Sequence, residues 1–428
     1  MKKGLSLLAI VCFVTAMVML QGCKKATVPE LTTVNITEIT LNSAVSGGTI
    51  KSDGGEDITE KGVCWSTATG PTIADSKTSD GKGSASFTSN LVGLAEGAPY
   101  YVRAYATNSV GTAYGNEVTF TTNQVTGAAV TTTEATSITP ASAAAGGNVT
   151  DAGGGTVSAR GICWSTAQNP TIADSKTTNG TGTGSFTSSL TGLDNGTIYY
   201  YRAYATNSSG TTYGQEYQFI TTVADIDGNV YQTVKIGTQV WIAENLKTTR
   251  YNDDTAIPNV TDNTEWTELS TGAFCWANND EATYKPLYGA LYNWYAVETG
   301  NLCPTGWHVP TDAEFSVMEV SLGMSEIDAS GTEWRGTDQG EKLKSTTGWP
   351  EGQNGTNTSG FTAPPSGYRF YGDGLTKGLG LICYFWSATP VDDLISAYRR
   401  LDADNDAVYR SATHKEAGKS VRCVKNSQ

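Results

Sequence analysis

One block of sequence occurs twice in this chain, displaced by 99 residues, and no other feature constrains the fold as strongly. Gly62-Val63-Cys64-Trp65-Ser66-Thr67 returns as Gly161-Ile162-Cys163-Trp164-Ser165-Thr166. Residues 71–77 return as 170–176, residues 103–109 as 202–208, and Gly47-Gly48 as Gly146-Gly147. Solenoid units are roughly 20 to 50 residues long, so a period of this length means whole domains in tandem. Within each copy, Val63 and Trp65 alternate with Gly62 and Cys64, the period of a strand buried on one face. Residues 100–107 are dominated by apolar and aromatic side chains, and Gly, Asn, Asp and Pro separate such runs. About seven strands in ~95 residues fit an all-β sandwich of the immunoglobulin type.

The run from Tyr100 to Asn108, with Gly111, resembles the late strands of fibronectin type III domains. The resemblance covers 28–123 and 128–222. Trp65, Trp164, Tyr105 and Tyr204 are expected to be core residues, because large side chains mostly pack. Cys64 and Cys163 hold equivalent places in separate domains, so each domain has one Cys, expected as a buried free thiol. Nothing in the two copies suggests chemistry, and they are expected to act as a spacer.

The N-terminus has the three parts of a secretory signal: Lys2 and Lys3, an uncharged apolar stretch from Leu5 to Leu20, and small residues before Cys23. The stretch falls short of the ~20 residues of a spanning helix, and Lys24 and Lys25 close it. Leu20-Gln21-Gly22-Cys23 resembles the lipobox of bacterial lipoprotein precursors, which implies lipidation of Cys23. Residues 1–22 are then the signal peptide and 23–27 a lipidated tether. Lys24 stands where an Asp would resemble an inner-membrane retention signal, which points to the outer membrane, facing either the periplasm or the cell surface. Removing 1–22 leaves 26 basic against 42 acidic residues, net −16. Such a surface disfavours nucleic acid as a partner, since phosphate binding needs Lys and Arg clusters.

Only His308 and His414 are present, and no H-E-x-x-H, G-x-S-x-G or P-loop pattern occurs. The common zinc and Ser-His hydrolases are therefore disfavoured. Gly180-Thr181-Gly182 lies between strand-like runs and reads as a turn.

From about Asp225 the composition shifts, and eight of the ten Trp residues lie beyond that point. Leu287, Ala290, Leu291, Trp294 and Tyr295 form one stripe at helical spacing. A second helix opens on Thr311-Asp312-Ala313-Glu314, a capping box, presents Phe315, Met318 and Leu322, and ends at Gly323. Nearly sixty Gly-punctuated residues follow, a long loop by pattern. Strand-like runs resume at 382–389, 397–401, 407–410 and 420–425.

Here the motifs carry a second resemblance. The runs 227–231, 239–251, 288–294 and 306–311, with Gly360-Phe361, Gly367-Tyr368-Arg369, Trp386-Ser387 and 420–424, resemble the Fibrobacter succinogenes major paralogous domain over about 225–428. That family occurs on secreted and lipid-anchored proteins of Fibrobacter and Bacteroidetes, without an assigned biochemical role. The order helix, helix, long loop, closing strands also resembles an α+β C-type-lectin-like fold. The lectin-like resemblance implies a disulfide between Cys303 and Cys423, which would leave Cys275 and Cys383 as a second pair. Four Cys alone allow three connectivities, and export permits bridges. The same resemblance places a ligand along the long loop, at Trp349, Glu351, Asn354, Asn357, Tyr368, Tyr371 and Asp373.

Asp402, Asp404 and Asp406 alternate as oxygen ligands for calcium could, or as a β-turn would. Calcium is the sole cofactor the sequence suggests. Glu244 and Glu298 could be a glycosidase pair, but nothing fixes their separation. His308 reads as a structural hydrogen-bonder. The expected function is a non-enzymatic cell-envelope lipoprotein presenting a carbohydrate-binding or adhesion head on a sandwich stalk. The alternatives are an assembly component that docks another envelope protein, and an enzyme resembling the formylglycine-generating type, whose active-site Cys pair is not found here.

Overall fold

The computed structural model describes residues 25–426. The expected signal peptide and Cys23 lie outside the described residues. The chain forms two compact units: one reaches Gly127 and includes 152–156 and 207–210, and the other holds the rest of the second repeat and everything after it.

The first repeat is a two-sheet sandwich. β1 (Glu30–Thr37), β2 (Ser43–Ser52) and β5 (Phe87–Val92) pair in the order β1-β2-β5. β3 (Glu60–Ser66), β4 (Ser76–Lys77), β6 (Pro99–Thr107) and β7 (Thr112–Tyr114) pair as β4-β3-β6-β7, and β8 (Val118–Thr121) also joins β6. Between β7 and β8, Asn116 turns to the other sheet. Its carbonyl and side-chain oxygens accept from the Thr33 hydroxyl (2.5 Å) and the Thr33 N–H (3.1 Å). Val63, Leu91 and Val102 are fully buried between the sheets. Each contributes roughly 1.5–3 kcal/mol by leaving water.

The second repeat reproduces this order. β9 (Ala129–Thr136), β10 (Ser142–Asp151) and β13 (Gly184–Thr191) form one sheet. β11 (Ala159–Ser165), β12 (Ser175–Lys176), β14 (Ile198–Asn207) and β15 (Gly210–Tyr213) form the other, with β16 (Tyr217–Ile220) on β14. The recurring Gly-Gly has a steric cause. A Cβ at Gly47 would lie 2.1 Å from Phe87 O, and one at Gly147 would lie 2.5 Å from the Ala203 methyl. Cys64 and Cys163 are buried free thiols, as expected, and burial pushes both up to about 11. Tyr105 and Tyr204 are buried, and Trp164 is partly so.

The remainder mixes short helices with sheets. β17 (Val223–Ala224) and β18 (Val230–Tyr231) form a hairpin, and the buried Asp225 carboxylate accepts from the Tyr231 hydroxyl at 2.6 Å. β19 (Thr233–Ile236), β20 (Gln239–Ile242), β30 (Val424–Lys425) and β23 (Trp307–His308) make a four-stranded sheet in that order, and β21 (Phe274–Cys275) pairs with β22 (Leu291–Tyr292). A six-stranded sheet runs β24 (Glu333–Arg335), β29 (Val408–His414), β28 (Ile395–Asp402), β27 (Ile382–Pro390), β25 (Ser366–Arg369), β26 (Thr376–Leu379). The helices are α1 (Asn263–Thr267), α2 (Glu281–Tyr288), α3 (Trp294–Glu298), α4 (Asp312–Ser321), α5 (Glu326–Ser330) and α6 (Gln339–Leu343).

α4 has the expected capping box: Thr311 Oγ1 accepts from the Glu314 N–H, and Glu314 Oε2 accepts from the Thr311 N–H. The helical stripe from Leu287 to Tyr295 is corrected. α2 stops at Tyr288, Gly289 turns the chain at φ 69°, and the Ala290 N–H donates to Leu246 O, so Leu291 and Tyr292 continue as a strand. Leu287 is left 59% exposed. The long loop also proves structured, since it contains α5, β24, α6, β25 and β26. Of the last expected run only Val424–Lys425 is strand; Lys419 and Ser420 form single bridges to Tyr292 and Phe385.

Most of the quoted motif residues are framework. Asn245 donates to Tyr288 O and Ser420 Oγ, and its own oxygen accepts from Arg422. Arg422, fully buried, donates to Ile242 O, Phe361 O and Thr362 O. Trp386 donates to Tyr292 O, and Tyr292 to Thr248 O.

Cys303 and Cys423 form a disulfide, S–S 1.98 Å. The second expected pair is corrected: Cys275 and Cys383 are free. Cys275 packs with Trp266 and Leu291, whereas Cys383 packs with Trp241, Phe315 and Phe385, in separate apolar clusters.

Candidate functional site

Strand alternation gives the six-stranded sheet two unlike faces. One face carries Arg335, Cys383, Phe385, Arg399, Leu401, Val408 and Arg410. It is closed by α4, whose fully buried Glu319 receives Arg335 (2.7 and 3.0 Å) and Arg399 (2.7 Å), while Asp312 pairs with Arg399 and Arg410. The opposite face carries Trp334, Tyr384, Trp386, Tyr398, Arg400 and Tyr409.

On that face the rings touch in a row across five strands. Trp334 meets Tyr409 edge-on at 5.2 Å, Tyr409 lies 6.3 Å from Tyr398, Tyr398 lies 5.2 Å from Tyr384, and Tyr384 lies 4.6 Å from Tyr368. The row continues through Phe370 and Tyr371 to His414, whose ring stacks on Tyr371 at 4.2 Å. Its middle, Tyr384 and Tyr398, is buried, while its ends are open: Trp334 is 38% exposed, and Tyr409, Tyr368 and Tyr371 are half-buried.

Two cations sit on the row. Arg400 lies over Trp334, Tyr384 and Tyr409 at 5.5 to 5.7 Å, and its guanidinium is held bidentate by Asp402. Burial opposes its charge, but the Asp402 hydrogen bonds outweigh it and raise the Arg400 pKa. Lys419 is buried with its ammonium 3.8 Å from the Tyr384 ring centre and 4.3 Å from that of Tyr398. Burial, and then the Arg400 charge, hold the Lys419 pKa well below the usual lysine range. Burial likewise raises the Tyr384 and Tyr398 hydroxyls, so both remain neutral donors. The middle of the face therefore belongs to the core, and only its rim, Trp334, Tyr409, Tyr368 and Tyr371 beside the partly exposed Arg400, is open to a ligand with a C–H face and hydroxyls.

Of the seven residues expected along the loop, Tyr368 and Tyr371 join this row and the others do not. Trp349 is corrected from platform to core: it is 5% exposed, and its indole N–H donates to Ser345 Oγ (3.2 Å) and Ala363 O (3.1 Å). Asn354 accepts from the Trp349 N–H, and Asn357 clasps Thr362 by two hydrogen bonds, so both staple the loop. Glu351 is exposed, and Asp373 pairs with Lys377 at 2.7 Å, which lowers its pKa. Trp334, Tyr384, Tyr398, Arg400, Tyr409 and Lys419 were not expected. Their sequence signal is the two-residue spacing of Tyr384 with Trp386 and of Tyr398 with Arg400.

The calcium reading of Asp402, Asp404 and Asp406 is corrected by the donor set. Asp402 faces Arg400, Asp406 pairs with Lys344 at 3.2 Å, and Asp404 is exposed. Among the described residues no three His, Cys, Asp or Glu side chains are grouped to hold a metal. Glu244 pairs with Lys247 and Glu298 with Lys415. His308 joins Asn426 (2.6 Å) and Glu314 (2.9 Å), a structural bridge.

The Fibrobacter succinogenes major domain family matches residues 234–425. No curated protein matches the chain. Among solved structures, the FN1–FN3 domains of chicken CNTN1 are similar at 13% identity, over 46% of this chain and 69% of that one, TM-score 0.21. Two structures of the sensor domain of the anti-sigma factor RsgI4 of Pseudobacteroides cellulosolvens are similar over 23% of this chain. One has 17% identity, 99% of its own length and TM-score 0.19; the other has 18%, 77% and 0.18.

Proposed function

We propose, from a C-terminal half that carries the Fibrobacter succinogenes major domain, that the chain is a cell-envelope lipoprotein with a non-catalytic carbohydrate-binding head. Lipid on Cys23 anchors it to the outer membrane, and the two sandwiches act as the spacer. The head follows the C-type-lectin-like plan, with its ligand on the six-stranded sheet instead of the long loop. One observation carries the reading: the aromatic row from Trp334 to Tyr371, open at both ends and set beside Arg400. The burial of Cys275 and Cys383 in separate clusters supports the non-catalytic part, since neither thiol faces solvent or the other.

The test is a glycan array probed with the full chain, followed by titration calorimetry on any hit. Trp334→Ala and Tyr409→Ala are expected to weaken binding by about two- to tenfold each, by the worth of a stacked ring. Unchanged binding in both variants would sink the reading. A second reading, docking of another envelope protein, is favoured by the groove of about 610 Å³ between α4 and α5, beside which Val317 is 46% and Ile327 84% exposed. Pull-down of one defined envelope partner, lost in Ile327→Asp, would select it.

A further inference from the structure

Three Asn-Gly pairs occur in this chain: Asn179-Gly180, Asn195-Gly196 and Asn354-Gly355. Such a pair can close to a five-membered imide when the Gly nitrogen attacks the Asn Cγ, since Gly leaves that nitrogen unshielded. Closure needs a free Gly N–H and room for the ring. Two of the pairs lack both. The Gly196 N–H donates to Thr222 O (3.2 Å), and Gly196 is buried against the Trp307 ring. The Gly355 N–H donates to Ser345 O (2.9 Å), and a Cβ on Gly355 would lie 2.4 Å from Lys344 O. Gly180 differs. It is exposed, a Cβ there would meet nothing within 4 Å, and among the described residues nothing accepts its N–H.

The Asn179 carboxamide is also held in a way that favours attack. Its Oδ1 accepts from Thr177 Oγ1 at 2.8 Å and Ser188 Oγ at 2.6 Å, while its Nδ2 donates to Thr187 O at 2.8 Å. Oδ1 is the atom that gains negative charge when Cγ is attacked, so the two hydroxyls stand where oxyanion donors would. The Asn195 and Asn354 oxygens each accept one longer N–H bond, at 3.4 and 3.2 Å.

The first sandwich already carries the product of such a reaction. Asp80-Gly81 stands 99 residues before Asn179-Gly180. Asp80 Oδ2 accepts from Thr78 Oγ1 (2.7 Å) and Ser89 Oγ (2.5 Å), the equivalents of Thr177 and Ser188. Gly81 has φ +96° and Gly180 φ +86°, so the two loops take the same backbone. A carboxylate at this corner is therefore compatible with the sandwich.

We propose that Asn179 is a self-modification site: in the folded chain it deamidates to aspartate and isoaspartate, ahead of the other two Asn-Gly pairs. Gly180 N bonds to Cγ and yields its proton to water. The Cγ–Nδ2 bond breaks, and Nδ2 leaves as ammonia with a proton from water. Water then opens the imide at either carbonyl. One water is taken up, one ammonia is released, and the chain gains one negative charge. The aspartate form makes the second sandwich match the first at this corner.

The experiment incubates the full chain at pH 8, folded and in urea, and follows each Asn-Gly peptide by mass spectrometry, where deamidation adds about 1 Da. In the folded chain Asn179 is expected to convert about tenfold faster than Asn195 and Asn354, whose Gly N–H groups are bonded. In urea the three rates should converge. Ser188→Ala removes one donor from Oδ1 and should slow Asn179 about two- to tenfold in the folded chain, with its rate in urea unchanged. Asn179→Asp should fold and melt with the native chain. Conversion of folded Asn195 or Asn354 as fast as Asn179 would overturn the proposal. So would an unchanged rate in folded Ser188→Ala, or an Asn179→Asp chain that does not fold.

Discussion

The ammonium of Lys344 lies 3.2 Å from Asp406 Oδ1 and 3.3 to 3.4 Å from the carbonyl oxygens of Asp402, Ala403 and Asn405. The turn between β28 and β29 does gather oxygens, around a lysine brought in at the end of α6. The Lys344 side chain is 1% exposed, whereas that of Asp406 is 59% exposed. Removing the lysine therefore strands buried carbonyls, and removing the aspartate loses only a solvated pair. Lys344→Met is expected to cost about 2–4 kcal/mol. Asp406→Asn is expected to cost under about 1 kcal/mol. Urea unfolding of both variants checks the contrast, and equal losses would refute it.

The Cys303–Cys423 bridge closes 120 residues of chain. In the chain-entropy description a loop of that size stabilises by about 5 kcal/mol, through the unfolded state. Reduction, or the Cys303→Ser/Cys423→Ser pair, should lower the urea midpoint of the C-terminal transition. Cys275→Ser should not reproduce that fall through loop closure, because its thiol is free. A midpoint insensitive to reductant would contradict the bridge.

The sequence showed most where its signal was local. An alternating strand and a capping box each state their structure within a few residues, the 99-residue offset carries the first over to a second copy, and the sandwiches and α4 follow from them. The stripe from Leu287 to Tyr295 misled because helical spacing does not reveal that Leu246 O captures the Ala290 N–H. Trp349 misled for a related reason: a Trp among glycines looks like a platform, and only tertiary packing shows Ser345 and Ala363 receiving its indole. The aromatic row was hidden because its neighbours come from five strands. Trp334 and Tyr409 are 75 positions apart in the chain yet directly opposed in the sheet.

His308 and Glu314 form a pair whose contribution depends on pH. Hydrogen bonding to Glu314, then to Asn426, raises the His308 pKa against the opposing effect of burial. Burial pulls Glu314 upward, but the bonds from His308 and Thr311 outweigh it and bring it to about 2. A raised histidine contributes fully below its unfolded pKa, near 6.5, and loses the contribution as pH climbs through the folded value. A lowered glutamate contributes fully above its unfolded pKa, near 4.5, and loses it as pH falls towards about 2. The stability difference between the native chain and Glu314→Gln, which keeps the capping geometry, should therefore be largest between about pH 4.5 and 6.5. It should shrink on both sides. A difference constant from pH 3 to 9 in urea titrations would exclude the ion pair as its source.

Gly196 tests whether the second sandwich and the C-terminal domain unfold together. The Trp307 indole donates to Asn195 Oδ1, and the Lys425 ammonium donates to Gly196 O (2.9 Å) and Thr197 Oγ1 (2.7 Å). A Cβ on Gly196 would lie 2.1 Å from the Trp307 ring, and φ is +53°. At Gly97, the same place in the first repeat, φ is +63° and the nearest atom is the flexible Gln124 side-chain oxygen at 3.3 Å. Both alanine variants carry the left-handed backbone cost of about 1–2 kcal/mol. Gly196→Ala alone adds a clash with a ring fixed in a core, about 1–3 kcal/mol more. Calorimetry should show Gly97→Ala as a small shift of one transition. Gly196→Ala should separate the melting of the second sandwich from that of the C-terminal domain. Identical traces for the two variants would mean that the Trp307 contact does not couple them.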